Sequence, residues 1–221
     1  QGKDVRFAIH PVAGRMPGHM NVLLAEADVD YEKLVEMDDV NRDFPETDVV
    51  LVVGACDVVN PAANDPDRET PLSGMPILEA HQARCVVVCN LDERPGYSGV
   101  ENPLYQGGQT LMLLGDALAT LRSLRRELGD TEGLEPIAAP APAGPAPAAA
   151  DAQPVAPTGS GETPLAKALS RLTDAKRVIV VPGYGMALAK AQFDVVRLAN
   201  FLERQGKDVR FAIHPVAGRM P

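Results

Sequence analysis

Short apolar runs alternate along this chain with longer segments in which apolar residues recur at helical spacing. The runs are nearly continuous and rich in valine, which is typical of parallel strands that are buried on both faces. The segments between them supply helical connections, so the pattern predicts an α/β fold with a six-stranded parallel sheet covered on both faces. The predicted strands are KDVRFAI (207–213, with a copy at 3–9), KLVEM (33–37), DVVLVVG (48–54), RCVVVC (84–89), a run within 109–115, and RVIVV (177–181).

Three segments are predicted to carry the helices. HPVAGRMPGHMNVLLAEA (10–27) is a loop that enters a helix, and DALATLRSLRREL (116–128) is an amphipathic helix that closes the sheet. The segment 182–206 is predicted to be a single helix that Gly206 ends. Its buried stripe is predicted to be Met186, Ala189, Phe193, Val196 and Leu198.

One low-complexity segment divides the chain. EPIAAPAPAGPAPAAADAQPVAPTGSGE (135–162) is nearly all Ala, Pro and Gly, and such a composition buries too little apolar surface to offset the entropy of ordering. We therefore assign residues 131–162 as a linker. Residues 1–130 are predicted to carry strands 2 to 6 of one domain. Residues 163–221 are predicted to carry its strand 1, a glycine loop with a helix, and a second copy of strand 2.

The same seventeen residues, QGKDVRFAIHPVAGRMP, open the chain at 1–17 and close it at 205–221. An internal repeat would duplicate a whole supersecondary unit, whereas this segment holds one strand. Joining the two copies gives one domain that starts near Thr163 and finishes near Asp130. The sequence thus predicts a circularly permuted chain order, or a unit read across its own head-to-tail junction. We expect the sheet to have room for only one of the two copies of strand 2. The other copy would then lie outside the sheet, or pair with a neighbouring molecule in a strand-swapped dimer.

The composition argues against several classes of protein. A formal net charge of −9 disfavours nucleic-acid binding, because phosphate backbones need a basic face. No apolar run approaches the roughly 18 residues that span a bilayer, so the chain is expected to be soluble and cytoplasmic. Cys56, Cys85 and Cys89 lie in apolar runs and are expected to be reduced core thiols. No second cysteine pair or histidine cluster completes a metal site, so none is predicted.

A glycine turn is the first candidate for a ligand site. VIVVPGYGMALA (178–189) places Gly183 and Gly185 between a strand and a helix, where free backbone N–H groups can hold a phosphate. Leu188 occupies the third glycine position of the common fingerprint, and strand 2 ends in His214 instead of the carboxylate that usually holds an adenosine ribose. The turn alone leaves two alternatives open: a nucleotide site of unusual geometry, or a strand–helix turn without a ligand.

Several motifs taken together resemble a known family. The motifs are PGYGMALAKAQ, IHPVAGRMPGHMNVLLAEA, VVGACDVVNPAA, GMPILE, GYSGVENPLY and MLLGDA. They are similar to the NADP(H)-binding domain, often called domain III, at the C-terminal end of the beta subunit of proton-translocating NAD(P) transhydrogenase. The resemblance covers 177–221 followed by 1–117. In that family the GYGMA motif comes first, so its place near the end of this chain independently favours a permuted order.

The resemblance implies a Rossmann-like, doubly wound domain that binds NADP(H) in a flipped orientation, which would account for the missing carboxylate on strand 2. It implies that the GYGMA loop covers the nucleotide and that Tyr97 belongs to a lid loop. The expected catalytic residues are Asp57, near the nicotinamide, and His10, a titrating group between nucleotide and membrane. Arg15, or its copy Arg219, is expected beside the phosphates. The cofactor-binding residues implied by these motifs are Gly183, Tyr184, Gly185, Met186, Ala187, Val12, Ala13, Gly14, Arg15, Gly54, Ala55, Asp57, Asn60, Asn90, Leu91, Asp92, Arg94, Gly96, Tyr97, Gly115, Asp116, Ala117 and Arg219.

One departure from the family pattern bears on the cofactor. The family usually has a Lys-Arg pair that holds the 2′-phosphate of NADP, and here Asn90 and Leu91 stand in those positions, followed by Asp92 and Glu93. Carboxylates disfavour a dianion and can instead bind a free 2′-hydroxyl, while Arg94 offers a substitute phosphate ligand. NADP(H) is therefore the expected cofactor, and NAD(H) or relaxed specificity is the alternative.

The implied function is that of an NADP(H)-binding module that positions the nicotinamide for direct hydride exchange with NAD(H) on a partner domain. No protein nucleophile is then needed, because the cofactor carries the chemistry. The implied partners are the NAD(H)-binding subunit and the membrane proton-channel domain, which places the module at the cytoplasmic face of the inner membrane in the full enzyme. The alternatives are a stand-alone or an engineered NAD(P)-binding sensor or scaffold without catalysis.

Overall fold

One parallel sheet forms the centre of the structure, a computed structural model that describes residues 7–8, 19–30, 33–133 and 163–212. Every strand pair in it is parallel. The sheet order is β1-β2-β7-β6-β3-β4-β5, and β1 also pairs with β7. The strands are β1 (Phe7–Ala8), β2 (Leu34–Val35), β3 (Val49–Val53), β4 (Val86–Asn90), β5 (Thr110–Leu114), β6 (Arg177–Pro182) and β7 (Asp208–Ala212).

Helices cover this sheet. Every residue of β3 and β4 is buried, and successive side chains of a strand point to opposite faces, so both faces of the sheet centre are covered. Thr163 caps the first helix of the second part through its hydroxyl, and Pro164 follows at the first helical position. The helices are α1 (His19–Glu26), α2 (Met37–Asp43), α3 (Ala117–Glu127), α4 (Pro164–Asp174), α5 (Tyr184–Leu188) and α6 (Gln192–Arg204).

The predicted α/β fold class is confirmed. Without β1, the order β2-β7-β6-β3-β4-β5 is the doubly wound order 3-2-1-4-5-6 when β6 is taken as strand 1. The expectation of a single position for the duplicated strand is wrong, because both copies join this sheet. Phe7 and Ala8 pair in register with Phe211 and Ala212, their counterparts in the second copy.

Two predicted elements end earlier than the sequence pattern indicates. The strand predicted at 33–37 ends at Val35, because Met37 begins α2. The helix predicted at 182–206 breaks between α5 and α6, where Lys190 has a φ of 53°. There Ala191 N donates to Met186 O and Lys190 N to Ala187 O, the hydrogen bonds of a Schellman helix end.

That break moves one residue out of the predicted buried stripe. Helix α6 starts in a new phase, so Phe193 is 47% exposed, whereas Met186, Val196 and Leu198 are buried as predicted and Ala189 is half-buried. The predicted stop at Gly206 is confirmed: its φ is 90°, and its N–H donates to Glu203 O at 2.9 Å.

Candidate functional site

The carboxyl ends of four neighbouring strands bring most of the predicted motif residues to one edge of the sheet. Parallel strands end on the same side, so segments that are distant in sequence meet there. Open α/β sheets bind ligands at this edge, near the point where the strand order reverses, which here lies between β6 and β3. The segments that follow the four strands are Gly183–Ala187 after β6, Gly54–Ala55 after β3, Leu91 after β4, and Gly115–Ala117 after β5.

Two loops contact one another through their backbones at the reversal point. Gly183 N donates to Val53 O at 2.8 Å, and Gly185 N donates to Gly54 O at 2.9 Å. A Cβ on Gly183 would lie 2.3 Å from the Gly54 oxygen, and one on Gly185 would lie 2.7 Å from Gly54 Cα. Gly54 has a φ of 67°, and its own Cβ would lie 2.3 Å from Met186 N. The three glycines are thus required for contact between the loops, whatever ligand is present.

A depression of about 150 Å³ lies beside this contact, at the ends of β3, β4 and β5. Leu91 and Leu188 line it and are 75% and 70% exposed, so they give it an apolar rim. Seven of its lining residues belong to the predicted cofactor-binding set, while Cys89, Leu188 and Ala189 are additional. The lining consists of Gly54, Cys89, Asn90, Leu91, Gly115, Asp116, Ala117, Gly185, Leu188 and Ala189.

Asp116 makes the depression acidic. Within the described residues it is the one charged group in the lining, and its Oδ1 accepts a hydrogen bond from Ala119 N at 2.9 Å. Asp116 is therefore the N-cap of α3, and its carboxylate offsets the positive end of the helix dipole. No lysine, arginine or histidine of the described ranges lines the depression.

Asn90 links the end of β4 to the loop after β3. Its Nδ2 donates to Ala55 O at 2.9 Å and to the Tyr105 hydroxyl at 2.8 Å. Burial raises the pKa of Tyr105, so this hydroxyl stays protonated. The Asn90 Oδ1 is buried and has no hydrogen-bond partner within the described residues. Both amide hydrogens are used, so an acceptor is the only hydrogen-bonding capacity left on this side chain.

Asp57 holds the predicted lid loop. Ser98 N donates to its Oδ2 at 2.9 Å, and Ser98 Oγ donates to its Oδ1 at 2.7 Å. A Cβ on Gly96 would lie 2.7 Å from Asp57 Oδ1, which accounts for the glycine. Between these two loop residues, Tyr97 is 79% exposed. Both oxygens of the Asp57 carboxylate therefore bind the loop, and its place near a nicotinamide stays a prediction.

Two buried asparagines support the same loop. Asn60 Nδ2 donates to the carbonyl oxygens of Val100 and Glu101 at 3.3 and 3.2 Å. Asn102 Nδ2 donates to Cys56 O at 3.0 Å. Asn102 is missing from the predicted site, as are Ser98 and Tyr105. Asn102-Pro103 repeats the Asn60-Pro61 pair, and both asparagines cap the short 3₁₀ turn that follows, so this dipeptide is a sequence signal for Asn102.

Arg94, the predicted substitute phosphate ligand, lies outside the depression. Its backbone N–H donates to Asp92 Oδ1 at 2.9 Å, and its Nε is 3.7 Å from Asp92 Oδ2. Arg94 is exposed and Asp92 is half-buried, and neither lines the depression.

The remaining predicted residues divide into two groups. Met186 is buried in the core, while Tyr184 and Ala187 are half-buried in α5. The other predicted residues lie outside the described residues: His10, Val12, Ala13, Gly14, Arg15 and Arg219.

Two absences concern only the ranges that the structure describes. Within them, no group of three or more His, Cys, Asp or Glu side chains could hold a metal ion. The three cysteines form no disulfide; Cys85 and Cys89 are buried, and Cys56 is half-buried. No helix in these ranges combines the length and apolar character that a membrane span requires.

Comparisons with known proteins agree with the motifs. Over 117 residues, the chain is 51% identical to the NAD(P) transhydrogenase subunit beta of Rhodospirillum rubrum, and a second sequence from that species matches equally. The match covers 53% of this chain and 25% of that subunit, so the chain spans about a quarter of the length of these curated relatives.

One solved structure is also similar, but only weakly. The formyltransferase/hydrolase complex from Methylorubrum extorquens, with methylofuran, aligns with 82% of this chain and 39% of its own chain. The identity is 16% and the TM-score is 0.33, so this similarity carries no conclusion. The model of the NAD(P) transhydrogenase beta subunit family matches residues 1–127 and 142–221, and the chain therefore belongs to that family.

Proposed function

We propose that this chain is the dinucleotide-binding module of a proton-translocating transhydrogenase, and that it positions a nicotinamide for direct hydride exchange with NAD(H) on a partner domain. The observation that carries the proposal is the convergence of three family motifs, represented by Gly54, Asp116 and Gly185, on one depression that the segment of Asn90 also lines. Family membership supplies the class of reaction, and the carboxyl edge of the sheet supplies a place for the cofactor.

The depression fits one end of a dinucleotide. Its volume of about 150 Å³ is below the roughly 300–1,000 Å³ of pockets that enclose drug-sized ligands, so it suits a single nucleoside. The exposed Leu91 and Leu188 offer apolar contact to a planar base, and the rest of the molecule would lie across the open edge. NADP(H) is the cofactor that the resemblance implies, and NAD(H) is the alternative.

The residues of this chain would orient the cofactor. When bound, a nicotinamide dinucleotide supplies the hydride chemistry itself. A hydride moving between two nicotinamides requires no proton transfer at the protein, so Asp57 acts here as a positioning residue that holds the loop with Tyr97. His10 is proposed as the titrating group that reports protonation to the membrane domain.

The strand order supports a permuted domain. Residues 163–221 would supply strand 1 and a copy of strand 2, residues 1–130 the other strands, and residues 131–162 the linker. The full enzyme would add the NAD(H)-binding subunit and a membrane proton-channel domain, with this module at the cytoplasmic membrane face.

The test combines binding with turnover. The full chain is titrated with NADH, NADPH and their oxidised forms while its melting temperature is recorded, because a ligand of the native state raises it. The chain is then mixed with the NAD(H)-binding subunit of a transhydrogenase, and hydride exchange is followed by absorbance. Nucleotide-dependent stabilisation together with exchange supports the proposal. Melting temperatures unchanged by all four nucleotides would instead identify a scaffold that has the fold without the function.

A further inference from the structure

We propose that the depression beside Gly54 selects a dinucleotide whose adenosine ribose has a free 2′-hydroxyl, NAD(H) over NADP(H), because its lining repels a phosphate group. This inference rests on the proposed function, since it takes the depression as the place of one nucleoside end. Charge, hydrogen-bonding capacity and apolar contact each support it.

The charge of the lining disfavours a phosphate dianion. Asp116 is the one charged residue that the described part of the chain places in the lining, and its carboxylate already caps the N-terminus of α3 through Ala119 N. A helix N-terminus attracts anions through its unpaired N–H groups and its dipole, and this carboxylate occupies that position. A second anion placed beside it would meet repulsion instead of attraction.

The hydrogen-bonding groups of the lining also suit a neutral ligand. A phosphate at neutral pH accepts hydrogen bonds and needs donors. Asn90 has both amide hydrogens committed, to Ala55 O and to the Tyr105 hydroxyl, and only its buried Oδ1 lacks a partner within the described residues. Asn90 therefore offers a phosphate no donor, and the exposed Asp116 carboxylate is an acceptor, which matches a ribose hydroxyl or a base amino group.

Two described cations follow lining residues closely in the sequence, and neither lines the depression. Arg94 binds Asp92 at the exposed surface. Lys190 follows the lining residue Ala189, and it is exposed at the left-handed turn between α5 and α6. Among the described residues, the lining therefore contributes no positive charge to a phosphate.

Apolar contact supplies binding that needs no phosphate. Leu91 and Leu188 come from different parts of the chain, the loop after β4 and the end of α5, and both line the same depression while mostly exposed. Large apolar side chains that share one concave surface are typical of ligand sites. A flat adenine between them would bury area that water now contacts.

The test compares NADH with NADPH on the full chain by titration of the nucleotide fluorescence, which no tryptophan of this chain disturbs. We expect the wild type to bind NADH about tenfold or more tightly, the scale of one nearby charge acting on a dianion. Leu91→Arg places a cation at an exposed position, so the preference for NADH over NADPH should decrease or reverse. The neutral variant Leu91→Gln is the matched control and keeps the wild-type ratio. Asp116→Asn keeps a side chain that can cap α3 but removes the negative charge. It should therefore also decrease the preference for NADH over NADPH.

The outcomes separate the inference from the proposed function. NADPH binding as tight as, or tighter than, NADH binding in the wild type overturns the inference and leaves the proposed function intact. An NADH preference that neither Leu91→Arg nor Asp116→Asn narrows, in variants with native circular dichroism, shows that another part of the chain discriminates and also overturns the inference. No binding of either nucleotide, by the wild type or a variant, overturns the proposed function and the inference with it.

Discussion

The buried guanidinium of Arg125 joins the two parts of the chain. Its side chain is 0% exposed, although it lies on the amphipathic helix α3. Nε donates to Asp130 Oδ2 at 2.7 Å, Nη1 to Asp194 Oδ1 at 2.5 Å, and Nη2 to Glu132 O at 2.6 Å. Asp194 belongs to α6, so this cluster links a helix that precedes residues 134–162 to one that follows them.

We expect Arg125→Met to destabilise the fold strongly. The methionine fills part of the space, but the Asp130 and Asp194 carboxylates remain buried without the cation. Removing one partner of a buried ion pair costs about 3–5 kcal/mol. Arg122 Nε stays 3.6 Å from Asp194 Oδ2 and compensates part of the loss. The expected decrease in the free energy of unfolding is therefore about 4 kcal/mol, which lowers the melting temperature by roughly 8–16 °C in a domain of this size.

Urea unfolding followed by circular dichroism measures this loss. The matched control is Arg126→Met, the neighbouring arginine on the same helix, which is exposed and should change the stability by no more than about 0.5 kcal/mol. Adding Asp130→Asn and Asp194→Asn to Arg125→Met removes the unpaired charges and should restore part of the stability. A loss below about 1 kcal/mol, or one equal to that of the control, would refute the argument.

Three further predictions concern the loops and the core. Gly183→Ala should lower the free energy of unfolding by at least about 2 kcal/mol, because the new Cβ would lie 2.3 Å from the Gly54 carbonyl oxygen. Gly108→Ala is the control, since a Cβ there has no atom within 4 Å. Equal losses of stability in urea unfolding would contradict this prediction. Ser98→Ala removes the 2.7 Å hydrogen bond from the serine hydroxyl to Asp57. The backbone amides of 96–100 should therefore exchange with solvent faster, while the amides of β3 exchange at the wild-type rate. Unchanged exchange in the loop would count against the role of Asp57. Burial raises the pKa of Cys89 to about 12, so iodoacetamide should label it only after unfolding; labelling of the native protein at the unfolded rate, read by mass spectrometry, would show that the thiol is accessible.

The central strands could be predicted from the sequence because their burial is encoded locally. Val49–Val53 and Val86–Asn90 are runs in which each residue is buried, and such runs occur where helices cover both faces of a parallel sheet. The glycine turn after β6 was equally visible, since few other residues tolerate so close an approach of two loops. The family motifs then supplied the expected function, and family membership is confirmed.

The break at Lys190 shows where local pattern is insufficient. The apolar spacing of 182–206 fits a continuous helix, and no glycine or proline lies between Met186 and Gln205 to mark the break. A lysine in the left-handed conformation is uncommon, and the structure accepts it here because the adjoining N–H groups are bonded and α6 gains a buried face. Phe193 became exposed for the same reason.

The sequence by itself determined the type of sheet, its buried strands, and the loops that end at one edge, because hydrophobic periodicity and turn residues are local properties. Only the tertiary structure decided how the polar side chains are used. Asp57 accepts hydrogen bonds from Ser98, both Asn90 amide hydrogens are donated to other residues, and Arg125 is buried although it is a charged residue of an amphipathic helix. Each of these depends on a contact with a residue distant in sequence. Such contacts form only in the folded chain, so the sequence pattern does not reveal which polar groups remain available at the site.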